Sequence, residues 1–335
     1  MSALLRVSPD IEYLGYKHTH LDREAHEMDA EEIARRIATI REDRKHGATQ
    51  IAAEAAELIA RIASDYDIPD SEFLELFPHA VQQVGRARPN TAPLLNGAAS
   101  LLNAWNSSGG PAACSRARRA VVDAAEQWME TRRGAADAIA DRTARVVLGS
   151  VITLGYSSTV IHALKTCWER DLLSGVIVAE SRPNCEGKRT AAELAADGVP
   201  VALITDAQMG LFVSMANAAA VGADTLMAGG AVVNKAGTSL LAMAARRAHV
   251  PFYVLADTQK IAPAPSHHRR MSFTIEEHDP EEVLPGGIEG VAVRNSHFDL
   301  TPGRYVTGYI TEDGLLTRKE ITARARHAPG CILLG

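Results

Sequence analysis

From about Asp29 to Arg145 the chain carries the hydrophobic period of amphipathic helices. Isoleucines recur at helical spacing after Asp29, a residue type that caps helix N-termini, and acidic residues follow it in the first turn. Further stretches with this period cover 52–63, 91–107 and 112–145. The pattern predicts a small helical N-terminal domain over 1–145.

Beyond residue 145 the pattern changes to short apolar runs separated by helical segments. The runs cover 146–155, 175–180, 199–205, 223–229 and 250–256. Such runs, alternating with helices, predict right-handed β-α-β crossovers and a buried parallel sheet. The sequence therefore predicts the α/β class, with a mostly parallel sheet in a C-terminal domain over 146–335.

Composition and charge narrow the classes of function. The 335 residues are 46% hydrophobic and 23% charged, and the net charge of -6 leaves no basic face for nucleic acid. The four cysteines lie far apart, which is typical of a reducing compartment and argues against a structural zinc. No apolar run approaches the roughly 20 residues that a membrane helix needs, and no signal-peptide pattern is present. We expect a cytoplasmic protein without bound metal.

The loop after the first run is the first candidate for ligand binding. Gly155, Tyr156, Ser157 and Ser158 precede a helix, so backbone N–H groups and hydroxyls would crowd a helix N-terminus, which suits a phosphate. The alternative is an ordinary N-cap.

The loops after the second and third runs carry further charged residues. Arg182 has the fork geometry that binds a phosphate or carboxylate, and Glu186 has the reach to accept sugar hydroxyls. Cys185 lies between them in the same ligand-facing loop, and the reactivity of its thiol would depend on a depressed pKa. A solvated charged loop is the alternative, and Asp206 after the third run has helix capping as its alternative role.

The fourth loop, 229–238, combines two glycines with Asn234, Lys235 and a threonine. This composition resembles a ligand cradle, although the order of a Walker A motif is absent and no GxGxxG fingerprint occurs in the chain. We therefore expect a phosphorylated small molecule as ligand and no cofactor.

Several blocks taken together resemble one known family. It joins the initiation-factor-2B α/β/δ subunits to the sugar-phosphate aldose–ketose isomerases. In the N-terminal part the similar blocks are Lys45-His46-Gly47-Ala48 and Ala87-Arg88-Pro89-Asn90-Thr91. In the C-terminal part they are 177–207, 222–260 and the closing segment 295–317.

The resemblance implies an architecture and a site. It implies a Rossmann-like C-terminal domain, a sugar-phosphate or nucleotide pocket between the two domains, and a homodimer or higher homo-oligomer. His46, Gly47 and Ala48 would then bind phosphate, and Arg88, Arg182 and Lys235 fit an anionic ligand. The closing segment would bring Asp299 near the pocket or the dimer seam.

The chain also departs from the isomerase pattern. The resemblance implies a cysteine where Gly155 stands, an aspartate where Ala231 stands, and an arginine where His46 stands. Each general acid or base contributes roughly 10² to 10⁴ to a rate, so the loss of two such groups argues against catalysis.

Two functions follow from these observations. The first is an initiation-factor-2B-like protein that binds a sugar phosphate or nucleotide monophosphate and has a regulatory role. The second is a divergent aldose–ketose isomerase of a ribose-1-phosphate-type substrate, with Asp206, Glu186 or Cys185 replacing the missing pair.

Overall fold

The N-terminal part of the chain is a group of long helices. The computed structural model describes residues 28–43, 46–88, 90–264 and 276–334, so that Lys45 and Pro89 of the similar blocks lie outside the described residues. The helices in this part are α1 Ala30–Glu42, α2 Ala48–Ser64, α3 Asp70–Gly85, α4 Ala92–Ser107 and α5 Cys114–Thr143.

Local sequence explains where these helices begin. Asp29 caps α1, because its side chain accepts a hydrogen bond from the Glu32 N–H at 2.7 Å. Helix α3 was not predicted as a separate element, since Pro78 interrupts its helical pattern from within. Tertiary packing of Phe73 and Phe77, which are fully buried, maintains the helix despite the proline.

Helix α5 connects the helical part to the sheet. Its first half packs Val121 and Ala125 into the core of the helical part. Its last turns pack Ile139 and Ala140 into a core formed by one face of the sheet. The two parts of the chain are therefore held together by one 30-residue helix as well as by loop contacts.

The C-terminal part contains a mostly parallel sheet flanked by helices. Its strands are β1 Gly149–Leu154, β2 Leu173–Ala179, β3 Val201–Ile204, β4 Ala218–Val221, β7 Phe252–Leu255, β9 Gly308–Thr311 and β10 Gly314–Leu316. The order across this sheet is β10-β9-β7-β4-β1-β2-β3, and only β10 runs antiparallel to its neighbour. The predicted α/β class and mostly parallel sheet are confirmed.

Three short strands form a separate antiparallel sheet. They are β5 Thr225–Leu226, β6 Val232–Lys235 and β8 Phe298–Thr301, in the order β5-β6-β8. The remaining helices are α6 Ser158–Glu169, α7 Glu186–Ala196, α8 Met209–Phe212, α9 Thr238–Arg247, α10 Arg318–Ala325 and α11 Cys331–Leu334. Within the described ranges, no helix combines the length and the apolar character that a bilayer crossing requires.

The assignment of the fourth run was wrong. The run 223–229 supplies only β5 of the small sheet, and β4 takes the expected place in the parallel sheet. Strand β4 consists of three alanines and a valine, and alanine has low strand propensity. All four residues are nevertheless buried, so small side chains fit a strand that is covered on both faces.

Candidate functional site

Several loops meet where the parallel strands end. The Gly155 N–H, after β1, donates to the Ser181 hydroxyl, after β2, at 2.7 Å, and Thr190 Oγ1 donates to the Gly155 carbonyl at 2.7 Å. After β4, a Cβ added to Gly222 would lie 2.6 Å from Ser157 Oγ. The carboxyl ends of β1, β2 and β4 therefore form one continuous surface, as parallel sheets of this kind do at their ligand sites.

Lys235 reaches this surface from the end of β6. Its Nζ lies 2.9 Å from Glu186 Oε1 at the first residue of α7. Gly155 has a φ of 74°, in the left-handed region, and a Cβ there would lie 3.3 Å from Lys235 Cβ. The structure thus brings together Gly155, Glu186 and Lys235, three residues that the sequence analysis proposed from separate loops.

Asp224 lies beside Lys235 and was missed in the sequence analysis. Its N–H donates to the Val233 carbonyl at 2.9 Å, which places Asp224 opposite Asn234 in the β5–β6 hairpin. Burial raises the pKa of Asp224, whereas the positive charges of Lys260, Lys235 and Arg88 act to lower it. Asp224 was overlooked because it lies in the run 223–229, which was assigned as a strand of the parallel sheet. A carboxylate in an otherwise apolar run was the available signal.

Lys260 lies in the turn after β7 and was also missed. It is only 4% exposed, and burial lowers its pKa, while the charges of Asp257 and Asp224 act to raise it. Asn96 of α4 holds this turn, since its Nδ2 donates to the carbonyls of Gln259 at 2.6 Å and Ile261 at 2.9 Å. The helical part therefore fixes the position of a buried ammonium group.

Arg88 is brought to the cluster by a contact between the two parts of the chain. Thr225, which follows Asp224, donates its hydroxyl to the Asn90 carbonyl at 2.7 Å and accepts from the Ala92 N–H at 2.9 Å. Arg88 Nη1 donates to the Asp43 carbonyl at 2.7 Å. The charged cluster, defined here as Arg88, Glu186, Asp224, Lys235 and Lys260, thus contains residues of both parts.

The His46 block lies at the beginning of α2, where Gly47 is the N-cap and Ala48 the first helical residue. His46 Nδ1 lies 2.6 Å from Asp43 Oδ2 and 3.8 Å from Glu54 Oε1. Among the described residues, these three side chains bring one potential metal-ligand atom each within 4.8 Å of the others. The His46 ring is hydrogen-bonded to the Asp43 side chain.

Asp206 and Arg182, two residues of the proposed site, make hydrogen bonds that connect neighbouring loops. Asp206 accepts hydrogen bonds from the N–H groups of Ser181 at 2.8 Å and Arg182 at 2.7 Å, so its carboxylate is engaged by backbone. The Arg182 guanidinium donates to the Val283 carbonyl at 3.1 Å and is exposed. These contacts connect the loops after β2 and β3 to the segment before β8.

Cys185 and Tyr156, two further residues of the proposed site, make contacts at or with α7. Cys185 is the N-cap of α7 with a φ of 55°, and its Sγ lies 3.7 Å from the Pro183 carbonyl oxygen. Tyr156 donates to Glu193 Oε2 at 3.0 Å, and the Arg189 guanidinium lies over its ring at 3.8 Å. The Tyr156 side chain therefore contacts α7, on which Glu193 and Arg189 lie.

The position of Ala231 changes the argument about the missing carboxylate. Ala231 lies in the turn between β5 and β6, four residues before Lys235, which is about 13 Å along a strand. A carboxylate at position 231 would therefore lie far from the Lys235 end of β6, where Asp224 already supplies one.

Asp299 accepts hydrogen bonds from the N–H groups of Gly237 at 2.8 Å and Ser239 at 3.0 Å, and so caps α9.

These features define an α/β protein in which charged side chains from a helical N-terminal part and a parallel sheet converge at the carboxyl ends of the strands. The model of the initiation factor 2 subunit family matches residues 44–318, and the chain belongs to this family. The resemblance drawn from the sequence blocks is confirmed.

Relatives in this family carry two kinds of name. A protein of Archaeoglobus fulgidus named ribose 1,5-bisphosphate isomerase is 34% identical over 292 residues, which cover 85% of this chain and 90% of the relative. A putative translation initiation factor eIF-2B subunit 2-like protein of Pyrococcus horikoshii is 33% identical, covering 85% and 96%. The crystal structure of a Pyrococcus horikoshii translation initiation factor eIF-2B matches with a TM-score of 0.71 at 32% identity, covering 85% of this chain and 97% of that one.

Proposed function

We propose that this protein binds a phosphorylated small molecule, a sugar phosphate or a nucleoside monophosphate, between the domains 1–145 and 146–335. The observation that carries the proposal is the convergence of three cations in the cluster. Arg88, Lys235 and Lys260 lie near Asp224, while Lys235 also pairs with Glu186 and Lys260 interacts with Asp257. Because Lys235 and Lys260 are buried, water solvates their ammonium groups poorly, so an oxygen of an anionic ligand would stabilise them further.

The neighbouring groups suit the remainder of such a ligand. Gly155 has no side chain, so a ligand can approach the backbone closely at the end of β1. The hydroxyls of Ser157 and Ser158 lie at the N-terminus of α6, where helix N–H groups favour phosphate. Glu186 and Asp224 supply acceptors for sugar hydroxyls. A regulatory role fits this arrangement, because Gly155 offers no acid, base or nucleophile.

Titration by calorimetry tests the binding proposal. Ribose 1,5-bisphosphate, ribose 5-phosphate and AMP are titrated into the wild type, with unphosphorylated ribose as the ligand control. Lys235→Met removes the buried ammonium, and Lys188→Met is a matched control on an exposed lysine of α7. We expect Lys235→Met to weaken phosphate-ligand binding about 10- to 100-fold, the equivalent of one hydrogen bond to a charged group.

Two outcomes of the titration would contradict the proposal. Equal affinities for the two methionine variants would remove Lys235 from the site. Binding of ribose as tight as that of its phosphates would contradict phosphate recognition.

An aldose–ketose isomerase is the second candidate, and Asp224 is the observation that favours it. Moving a proton between C1 and C2 of a sugar needs an acid/base group near the substrate. A carboxyl with a raised pKa in a cationic cluster suits this task, and a close relative is named as an isomerase.

Ketose formation from ribose 1,5-bisphosphate and methylthioribose 1-phosphate separates the two candidates. Turnover near or above about 1 per second, which Asp224→Asn abolishes, would establish the enzyme. Binding without ketose formation supports the first candidate.

Homodimer formation in the cytoplasm belongs to the same proposal. Leu211, Met215, Leu240 and Met243 are large apolar residues exposed on α8, α9 and the turn between α8 and β4, and a second copy would cover them. The four cysteines are unpaired, as in reducing compartments. A monomeric mass in light scattering would contradict the dimer.

A further inference from the structure

A small cavity lies beside the charged cluster, between the N-termini of α2 and α6 and the side of α5. Its volume is about 20 Å³, enough for one water-sized group. The polar residues that line it are Thr49, Arg132, Ser158, Thr159 and Asp257. Two apolar residues of α5 complete the wall.

Among the residues that the structure describes, Arg132 is the only cation that lines this cavity. It is 8% exposed, its guanidinium lies 4.5 Å from the centre of the Trp128 ring, and its Nη2 lies 3.4 Å from Asp257 Oδ2. Among the described residues, Arg132 Nη1 has no hydrogen-bond partner. A buried charged donor without an acceptor is unfavourable, and an anionic oxygen in the cavity would satisfy it.

Two helix N-termini face the same space. Thr49 is the second residue of α2, which has 17 residues, and Ser158 and Thr159 are the first two of α6, which has 12. First-turn N–H groups have no acceptor within their own helix and carry the positive end of the helix dipole. At α2 the N-cap is Gly47, so no side chain caps these groups. Both termini therefore add positive potential to the cavity.

The single carboxylate in the wall does not cancel this potential. The negative charge of Asp257 is balanced by Arg132 and by Lys260. The Asp257 charge acts to raise the pKa of Lys260. Asp257 Oδ1 also accepts from the Gln259 N–H at 3.1 Å. Lys260 in turn interacts with Asp224, so the cavity is electrostatically continuous with the charged cluster.

We propose that this cavity is an oxyanion subsite in which Arg132 Nη1 donates to an oxygen of a phosphate group. The space fits one phosphate oxygen, and Asp257 in its wall interacts with Lys260 of the charged cluster. The inference rests on the proposed function, because the phosphate belongs to the same ligand. It adds a residue of α5, Arg132, as a determinant of phosphate recognition.

Calorimetric titration with inorganic phosphate at low ionic strength tests the subsite. Arg132→Met is compared with Arg133→Met, its neighbour on α5, which is exposed and paired with Glu130. We expect Arg132→Met to weaken phosphate binding at least about tenfold and Arg133→Met to leave it unchanged. Phosphate affinity equal to that of the wild type in Arg132→Met, with an unchanged circular dichroism spectrum, overturns the subsite.

A second variant covers the case in which Arg132→Met does not fold. The variant Thr49→Val alters the cavity wall without touching the Arg132–Asp257 pair, and we expect it to weaken phosphate binding several-fold. Unchanged phosphate affinity in this variant overturns the subsite.

The subsite and the proposed function fail differently. Loss of ribose 5-phosphate binding in Lys235→Met, with wild-type binding in Arg132→Met, overturns the subsite and leaves the proposed function standing. Absence of ribose 5-phosphate binding in the wild type overturns the proposed function, whereas loss of inorganic phosphate binding in Arg132→Met still supports the subsite.

Discussion

The hydroxyl of Thr225 connects the helical part to the small sheet, and Thr225→Val tests how much that connection contributes. Valine has nearly the same shape as threonine, so the substitution removes the hydroxyl and leaves packing almost unchanged. The Thr225 residue is 1% exposed, and its hydroxyl satisfies two backbone groups, the Asn90 carbonyl and the Ala92 N–H.

The expected loss follows from those two groups. Each buried backbone group that loses its partner costs about 1–3 kcal/mol. Partial relaxation offsets some of this cost, so we expect Thr225→Val to lower the free energy of unfolding by about 2–4 kcal/mol. Arg88, two residues before Asn90, is also held less firmly, and the affinity for phosphorylated ligands should fall with stability.

Urea unfolding followed by circular dichroism measures the change, with Thr143→Val as the matched control. Thr143 is fully buried, but its hydroxyl donates to the Ile139 carbonyl of its own helix. The Ile139 carbonyl still accepts the backbone N–H of its own helix when the Thr143 hydroxyl is removed. We therefore expect Thr143→Val to lower the free energy of unfolding by less than about 1 kcal/mol. Equal losses in the two variants would refute the reasoning, because they would assign the effect to the side chain and not to the connection.

Three further predictions concern other parts of the molecule. Asn96→Ala removes three hydrogen bonds, two to carbonyls of the Lys260 turn and one from the Gly330 N–H, and should destabilise the fold by about 3 kcal/mol in urea unfolding; a loss below about 1 kcal/mol would contradict this. Burial raises the pKa of Glu312, so its stabilising contribution is present at low pH and is lost as pH rises through that raised pKa. Glu312→Gln should therefore gain stability relative to the wild type between pH 4 and pH 7, and a constant difference in unfolding free energy would be evidence against it. Burial raises the pKa of Cys167 to about 11, so a disulfide reagent at pH 8 should modify the partly exposed Cys185 first and leave Cys167 unmodified until the chain unfolds.

Periodicity predicted most of the fold because burial is strongly patterned in this chain. The helices over 30–42 and 114–143 and the strands over 149–154 and 252–255 lie within the predicted stretches. The exceptions were α3, whose pattern Pro78 interrupts, and β4. Strand β4 has no alternation and a single β-branched residue, and only its coverage on both faces makes it a strand.

The site was predictable where polar residues follow strands and not where they lie inside apolar runs. Lys235 and Glu186 stand out in loops, and the structure brings them within 2.9 Å of each other. Asp224 has only the weaker signal of a carboxylate inside an apolar run, and Arg132 has no local signal, because its environment comes from segments distant in the chain. Arg132 is 125 residues from its partner Asp257, a separation that no sequence pattern reveals.

Calorimetric titration of ribose 1,5-bisphosphate into the wild-type protein and Lys235→Met is the most direct test of phosphate-ligand binding at the charged cluster. We expect saturable binding to the wild type and binding about 10- to 100-fold weaker in the variant. Absence of binding to the wild type at millimolar ligand, or equal affinity in the two proteins, would contradict it.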